Sequence, residues 1–160
     1  MMPRPPSPAD RLRALLEKPG LRVMPCCFDA LSARLVARAG FELTFMSGFA
    51  VSAARLALPD TGLVSYGEMV ERGREICAAV EIPVIGDGDT GYGNAVNAKR
   101  TVQGYARAGF ACVMIEDQLA PKRCGHTRGK AVVPRPEALA RVRAVLDARD
   151  EARAAGHDVL

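Results

Sequence analysis

The chain has 160 residues, of which 49% are hydrophobic and 25% are charged. This composition is typical of a globular domain with one core, and no stretch approaches the apolar length of a membrane span. The net charge of +4 comes from arginines interspersed with acids, which argues against a nucleic-acid or membrane-surface binder. Five cysteines without disulfide or zinc spacing, and a start without the apolar core of a signal peptide, favour the cytoplasm.

Four apolar segments predict strands that are buried on both faces of a parallel sheet, because their hydrophobic character is nearly continuous. They are residues 21–26, 42–47, 82–86 and 111–116. Helical patterns alternate with them, after an N-terminal extension and helix within residues 1–20. The alternation predicts an α/β fold built from strand-helix units of about 35 residues each.

Capping residues mark the predicted helices. Asp29 opens one that Gly40 stops, Ser65 and Glu68 form a capping box, Asn94 opens one that ends at Gly109, and Pro136 opens a last one bearing Leu139, Val142, Val145 and Leu146. The segment "ARAGF" occurs at residues 37–41 and again at 106–110, each time between a helix and a strand. The identical placement favours a structural repeat over chance.

Acidic residues follow the predicted strands where parallel α/β folds gather their functional groups. Asp87 and Asp89 end the third strand, Glu116 ends the fourth, and Asp60 lies in the loop after the second. Residues two apart on an extended backbone point to one side, so Asp87 and Asp89 can converge. Two interpretations stay open: a Mg²⁺ site, or turn capping with ion pairs to Lys122 or Arg123, which would approach through the fold.

The segment "PKRCGHTRGK", residues 121–130, carries the second candidate site. Lys122 and Arg123 precede Cys124 directly and His126 lies two residues on, a setting that lowers the pKa of the thiol and favours a thiolate, which suits an acid, a base or a nucleophile. Gly125 gives the segment freedom to close over a substrate. The alternative is a solvated basic loop with an incidental thiol, while the other cysteines, Cys26, Cys27, Cys77 and Cys112, are expected to fill the core.

A third candidate is "MSGFAVSAA", in which Ser47 and Gly48 lead from the second strand into a helical stretch. Free backbone N–H groups and the Ser47 hydroxyl would suit a substrate carboxylate. A purely structural Ser-Gly turn is the alternative.

Together, "SGFAVSAARLALPDTG", "IPVIGDGDTGYGN", "IEDQ" and "PKRCGH" resemble the isocitrate lyase and phosphoenolpyruvate mutase superfamily over residues 21–150. The likeness is strongest to plant-type carboxyvinyl-carboxyphosphonate phosphorylmutases and to 2-methylisocitrate lyases, and a plant-like relative would make a plastid the alternative location. The resemblance implies a (β/α)₈ barrel that acts on small 2-oxo or hydroxy carboxylates. Such a barrel takes about 250 residues, so the expectation is an N-terminal half, residues 21–160, that stops before the fifth strand.

The resemblance also implies roles for individual residues. Asp87 and Asp89, with Asp60 and Glu116, would hold Mg²⁺, with Mn²⁺ as an alternative. Ser47, Gly48 and Phe49 would bind the substrate, and Cys124 and Gly125 would lie on a mobile loop that also carries Lys122 and His126.

The implied chemistry is cleavage or formation of a C–C bond next to a pyruvyl unit through a metal-stabilised enolate, with Cys124 as acid or base. The phosphonate mutases typically lack this cysteine, so "KRCGH" favours C–C chemistry, while the plant-type likeness keeps P–C chemistry open. Phe45 stands where 2-methylisocitrate lyases tend to carry tyrosine, and the substrate stays open. A catalytically inactive fragment is the third hypothesis, and the family's homo-oligomers are not carried over to half a barrel.

Overall fold

Four short parallel strands form one sheet in the order β1-β2-β3-β4, with helices between them. The computed structural model describes residues 5–160, so the first four residues of the expected N-terminal extension lie outside the described residues. The elements are α1 (Pro8–Glu17), β1 (Cys26–Cys27), α2 (Ala30–Arg38), β2 (Thr44–Met46), α3 (Gly48–Leu56), α4 (Tyr66–Ala79), β3 (Val84–Asp87), α5 (Ala95–Ala108), β4 (Cys112–Met114) and α6 (Arg135–Ala154). The parallel α/β prediction is confirmed.

The first strand differs from its prediction. It covers only Cys26–Cys27, and Leu21, predicted to be buried, is 86% exposed. Pro25 has no N–H to donate to a ladder, although its carbonyl accepts a bond from the Phe45 N–H at 3.1 Å. Within residues 5–160, β1 is an edge strand that pairs only with β2, and Cys26 is exposed rather than part of the core.

The predicted helix caps are confirmed. Asp29, Ser65 and Asn94 each accept a hydrogen bond from the backbone of the first turn that follows. The last helix starts at Arg135. Most of its predicted apolar face does not pack in the core, because Leu139, Val142 and Leu146 are exposed. Small side chains, Ala148 and Ala152, face α5 instead and allow the two helices to pack closely.

The two "ARAGF" segments end α2 and α5 in the same way. Gly40 and Gly109 have φ values of 87° and 99°, the left-handed region that only glycine enters without strain. Each glycine N–H bonds to the carbonyl three residues earlier, and each following phenylalanine N–H bonds to the carbonyl five residues earlier. The repeat is therefore structural.

The core holds the end of β3 in place. The rings of Tyr105 and Phe110 stack with centroids 4.7 Å apart, and they press on Gly86, where a Cβ would lie 2.8 Å from both rings. The Tyr105 hydroxyl, from α5, donates to the backbone carbonyl of Asp87 at 2.8 Å. The hydrogen bond from α5 thereby holds the backbone of Asp87 in place.

Leu160 pairs with the outer edge of β4. Its N–H donates to the Ala111 carbonyl and its carbonyl accepts from the Val113 N–H, both at 3.0 Å, which is the parallel pairing pattern beside β4. Leu12 and Leu15 of α1 pack below this edge against Leu43 and Ala111. Among residues 5–160, no helix has the length and apolar character needed to cross a membrane.

Candidate active site

Asp87 and Asp89 lie together at the carboxyl end of β3 and are almost fully buried. The Asp87 carboxylate accepts two backbone N–H bonds, from Gly48 at 2.9 Å and from Asp89 at 3.0 Å. Asp89 has a φ of 48°, a left-handed conformation that aspartate tolerates better than most residues. The segment thus forms a turn, as one interpretation predicted, and the Asp87 carboxylate takes part in it by accepting the Asp89 N–H.

Gly48 is where α3 begins, and it lies against both acids. A Cβ at this position would be 2.7 Å from Asp87 Oδ2 and 3.4 Å from Asp89 Oδ1. The Gly48 N–H was predicted to be free to bind a substrate carboxylate. In this structure it donates to Asp87 instead. Ser47 caps the same helix by accepting from the Ala50 N–H at 3.3 Å.

Lys122 reaches into the acidic cluster, as the ion-pair interpretation predicted. Its Nζ lies 3.0 Å from Asp60 Oδ1 and 3.3 Å from Asp60 Oδ2, and it also pairs with Asp89 Oδ1. The side chains of Lys122, Asp60 and Asp89 are only 5%, 11% and 9% exposed. Arg123 makes no such contact; its amide and carbonyl bond to the Gln118 side chain.

The electrostatics of the cluster are dominated by burial. Burial raises the pKa of Asp89 to about 6, against the opposing effect of Lys122 and with a further raising effect from Asp87. Burial alone would lower the pKa of Lys122, but Asp89, Asp87 and the hydrogen bond to Asp60 raise it overall. The ammonium is therefore firmly charged, and the negative charge around it is only partly compensated.

The donor set fits a hard divalent cation. Three carboxylates, Asp60 from the loop after α3 and Asp87 and Asp89 from the end of β3, offer oxygen ligands, which Mg²⁺ and Mn²⁺ prefer, and one ammonium does not balance them. In the described residues, no three acidic, histidine or cysteine side chains already surround one cation position. Lys122 instead pairs with Asp60 and Asp89.

A cavity of about 850 Å³ opens beside Asp60. Phe49, Asp60, Lys122, Cys124 and His126 line it, so the loop thiol shares one space with Asp60 and Lys122, whereas Asp87 and Asp89 do not line this cavity. All five cysteines are free thiols, and Cys124 is partly exposed. Phe49 is exposed at the cavity wall.

Glu116 and Gly125 line a neighbouring cavity rather than this one. The Glu116 carboxylate accepts from the Gln118 side chain at 2.5 Å, and its N–H donates to the Asp89 carbonyl at 2.7 Å. Gln118 is a residue that sequence reasoning missed, although it stands in the quoted "IEDQ". Arg141 is another: this buried arginine of α6 donates to the Glu116 carbonyl at 2.7 Å, and no motif marked it.

Comparison with known proteins places these features in a family. The family model described as "Phosphoenolpyruvate phosphomutase" matches residues 12–157. The 2,3-dimethylmalate lyase of Eubacterium barkeri is 43% identical over 88% of this chain and 49% of its own length. The chloroplastic carboxyvinyl-carboxyphosphonate phosphorylmutase of Arabidopsis thaliana is 48% identical over 86% of this chain and 41% of its own length. The chain thus spans about half the length of the curated relatives it matches.

Solved structures agree. Oxaloacetate acetylhydrolase in complex with 3,3-difluorooxalacetate superposes with a TM-score of 0.88 at 40% identity, over 93% of this chain and 51% of the other. A phosphonopyruvate hydrolase in complex with oxalate and Mg²⁺ gives a TM-score of 0.79 at 34% identity, over 89% and 48%. The four-stranded sheet described above therefore corresponds to about half of a TIM-barrel of this superfamily.

Proposed function

The chain belongs to the phosphoenolpyruvate phosphomutase family, and on that premise we propose that it provides the metal-binding and acid-base part of a lyase site. The substrate would be a small 2-oxo or hydroxy carboxylate in which a C–C bond next to the 2-oxo acid unit is cleaved or formed. The observation that carries the proposal is the buried cluster of Asp60, Asp87 and Asp89, of which Asp60 lines the same cavity as Cys124.

Each group has a defined task in this proposal. Asp87 and Asp89 would hold Mg²⁺, directly or through water, with Asp60 and Glu116 completing the acidic surroundings. When bound, the cation would stabilise the negative charge that develops on the substrate oxygen. Asp87 needs little reorganisation to act as a ligand, because two backbone N–H groups already fix its orientation.

The residues around the cavity would handle the substrate. Ser47, Gly48 and Phe49 lie at the start of α3, where the helix N-terminus favours a carboxylate. Cys124, with Lys122 and His126 nearby, would exchange a proton with the carbon that separates from the 2-oxo acid. Gly125 would allow the loop to close over the bound molecule.

The test is an assay of the purified chain with Mg²⁺ against isocitrates, 2-alkylmalates and oxaloacetate, with detection of released 2-oxo acids. Cys124→Ser should lower turnover by about 10²-fold or more, the range for loss of a general acid or base. Cys26→Ser, at an exposed position on β1, is the matched control and should keep full turnover. Full turnover in Cys124→Ser would remove the acid-base role, and no product from any substrate would contradict lyase activity in this chain.

P–C bond chemistry is the second candidate, favoured by the 48% identity to the Arabidopsis phosphorylmutase. It predicts that phosphonopyruvate or a carboxyphosphonate is consumed, which ³¹P NMR would detect. Consumption of the phosphonate without any C–C cleavage would decide for this candidate.

A further inference from the structure

We propose that the Lys122 ammonium is an internal counter-ion that exchanges with the divalent cation, so that the acids hold either Lys122 or the metal but not both. This inference rests on the proposed function, because it concerns the same carboxylates. It adds a property of this chain's own loop, namely that metal binding must expel Lys122 and so move the segment that carries Cys124.

The contacts define the competition. Lys122 Nζ is bonded to both oxygens of Asp60, at 3.0 and 3.3 Å, and is paired with Asp89. These carboxylates come from the loop after α3 and from the turn after β3, whereas the ammonium comes from the loop after β4. A cation that uses Asp60 and Asp89 oxygens and an ammonium that already occupies them require the same space.

The charge balance favours exchange rather than permanent pairing. One ammonium faces Asp60 and Asp89, the carboxylate of Asp87 is bonded to the Asp89 N–H, and the side chains are almost completely removed from water. Unbalanced charge is costly in such a setting, since water cannot screen it. A divalent cation supplies the missing positive charge, while Lys122 keeps the acids compatible with folding until one arrives.

Expulsion of Lys122 would be transmitted along the loop. Gln118 holds the next residue, Arg123, through both its N–H and its carbonyl at 3.2 Å, and Gln118 is itself bonded to Glu116. Cys124 follows directly. Metal occupancy and the position of the thiol are therefore linked, and the linkage is reciprocal. The factor by which bound metal disfavours the paired state of Lys122 equals the factor by which that paired state weakens metal binding.

The first test is calorimetric titration of the 160-residue chain with MgCl₂ at pH 8. Lys122→Met should bind Mg²⁺ about tenfold more tightly than the wild type, equivalent to about 1.4 kcal/mol, because no ammonium has to be displaced. Lys99→Met is the matched control, since Lys99 forms an ion pair with Glu151 at the surface, and should bind like the wild type. If Lys122→Met is poorly folded without metal, Mg²⁺ should raise its melting temperature more than that of the wild type.

The second test needs no substitution. A short pulse of acetic anhydride, read by mass spectrometry, should modify Lys122 slowly without metal and several-fold faster with saturating Mg²⁺. Lys18, which is 57% exposed, should react equally in both states. Equal Mg²⁺ affinity of Lys122→Met and wild type, with Lys122 still protected in the bound state, would overturn the counter-ion inference alone. If neither protein binds Mg²⁺, the proposed metal function fails as well.

Discussion

Gly48→Ala is the substitution that tests most directly how the acidic site is built. The new Cβ would lie 2.7 Å from Asp87 Oδ2, whereas ordinary van der Waals contact starts at 3.4 Å, so one group would have to move by about 0.7 Å. Such a movement strains or breaks the 2.9 Å bond from the Gly48 N–H to Asp87. Overpacking of this kind costs about 1–3 kcal/mol, and weakening a buried bond to a charged group costs about 1–2 kcal/mol.

The higher helix propensity of alanine offsets at most about 1 kcal/mol of this loss in stability. We therefore expect the free energy of unfolding to fall by about 1–4 kcal/mol, measured by urea denaturation. Gly67→Ala is the matched control, because Gly67 also lies in the first turn of a helix, but its Cβ would meet only Ser65 Oγ at 3.9 Å. If both variants were equally stable, the close approach of Gly48 to Asp87 would not constrain the site.

Two further predictions concern stability in regions outside the cluster of Asp60, Asp87 and Asp89. The hydrogen bond from Arg13 lowers the pKa of Asp158 to about 2, so Asp158 contributes stability that is present above its ordinary pKa of 3.8 and is lost as the pH falls through about 2. Asp158→Asn should therefore be less stable than the wild type in urea at pH 6, and the difference should shrink between about pH 4 and pH 2; a constant difference would contradict this. Phe110→Ala should cost about 3–5 kcal/mol in urea denaturation because the ring is fully buried, whereas Phe41→Ala, at the half-buried equivalent position of the repeat, should cost clearly less; equal losses would contradict the difference in packing.

The parts of the fold that depend on local chemistry were predictable from the sequence. Asp29, Ser65 and Asn94 cap helices through bonds to residues only two or three positions away, so the local segment contains all the necessary information. The exposure of Leu21 and the orientation of α6 were not predictable in this way. They depend on which surfaces the neighbouring elements cover, and apolar residues in sequence do not specify that.

The candidate site likewise has features that the sequence predicts and features that only the folded structure reveals. The positions of Asp87 and Asp89 followed from the rule that parallel strands end at one edge, and the approach of Lys122 was one of two alternatives that the sequence left open. Gln118 and Arg141 escaped notice because two of the three bonds that each side chain makes go to backbone groups, with Glu116 and Glu137 as the remaining partners. Such partners carry no side-chain pattern, so only the folded structure reveals them.

The repeated helix end at Gly40 and Gly109 has a consequence for engineering. Both copies of "ARAGF" turn a helix into a strand with the same two backbone bonds, although their phenylalanines are buried to different degrees. The same helix end therefore forms whether or not the phenylalanine that follows the glycine is fully buried. A protein designer who needs a compact connection from a helix to the next parallel strand could transplant these five residues as a ready-made part.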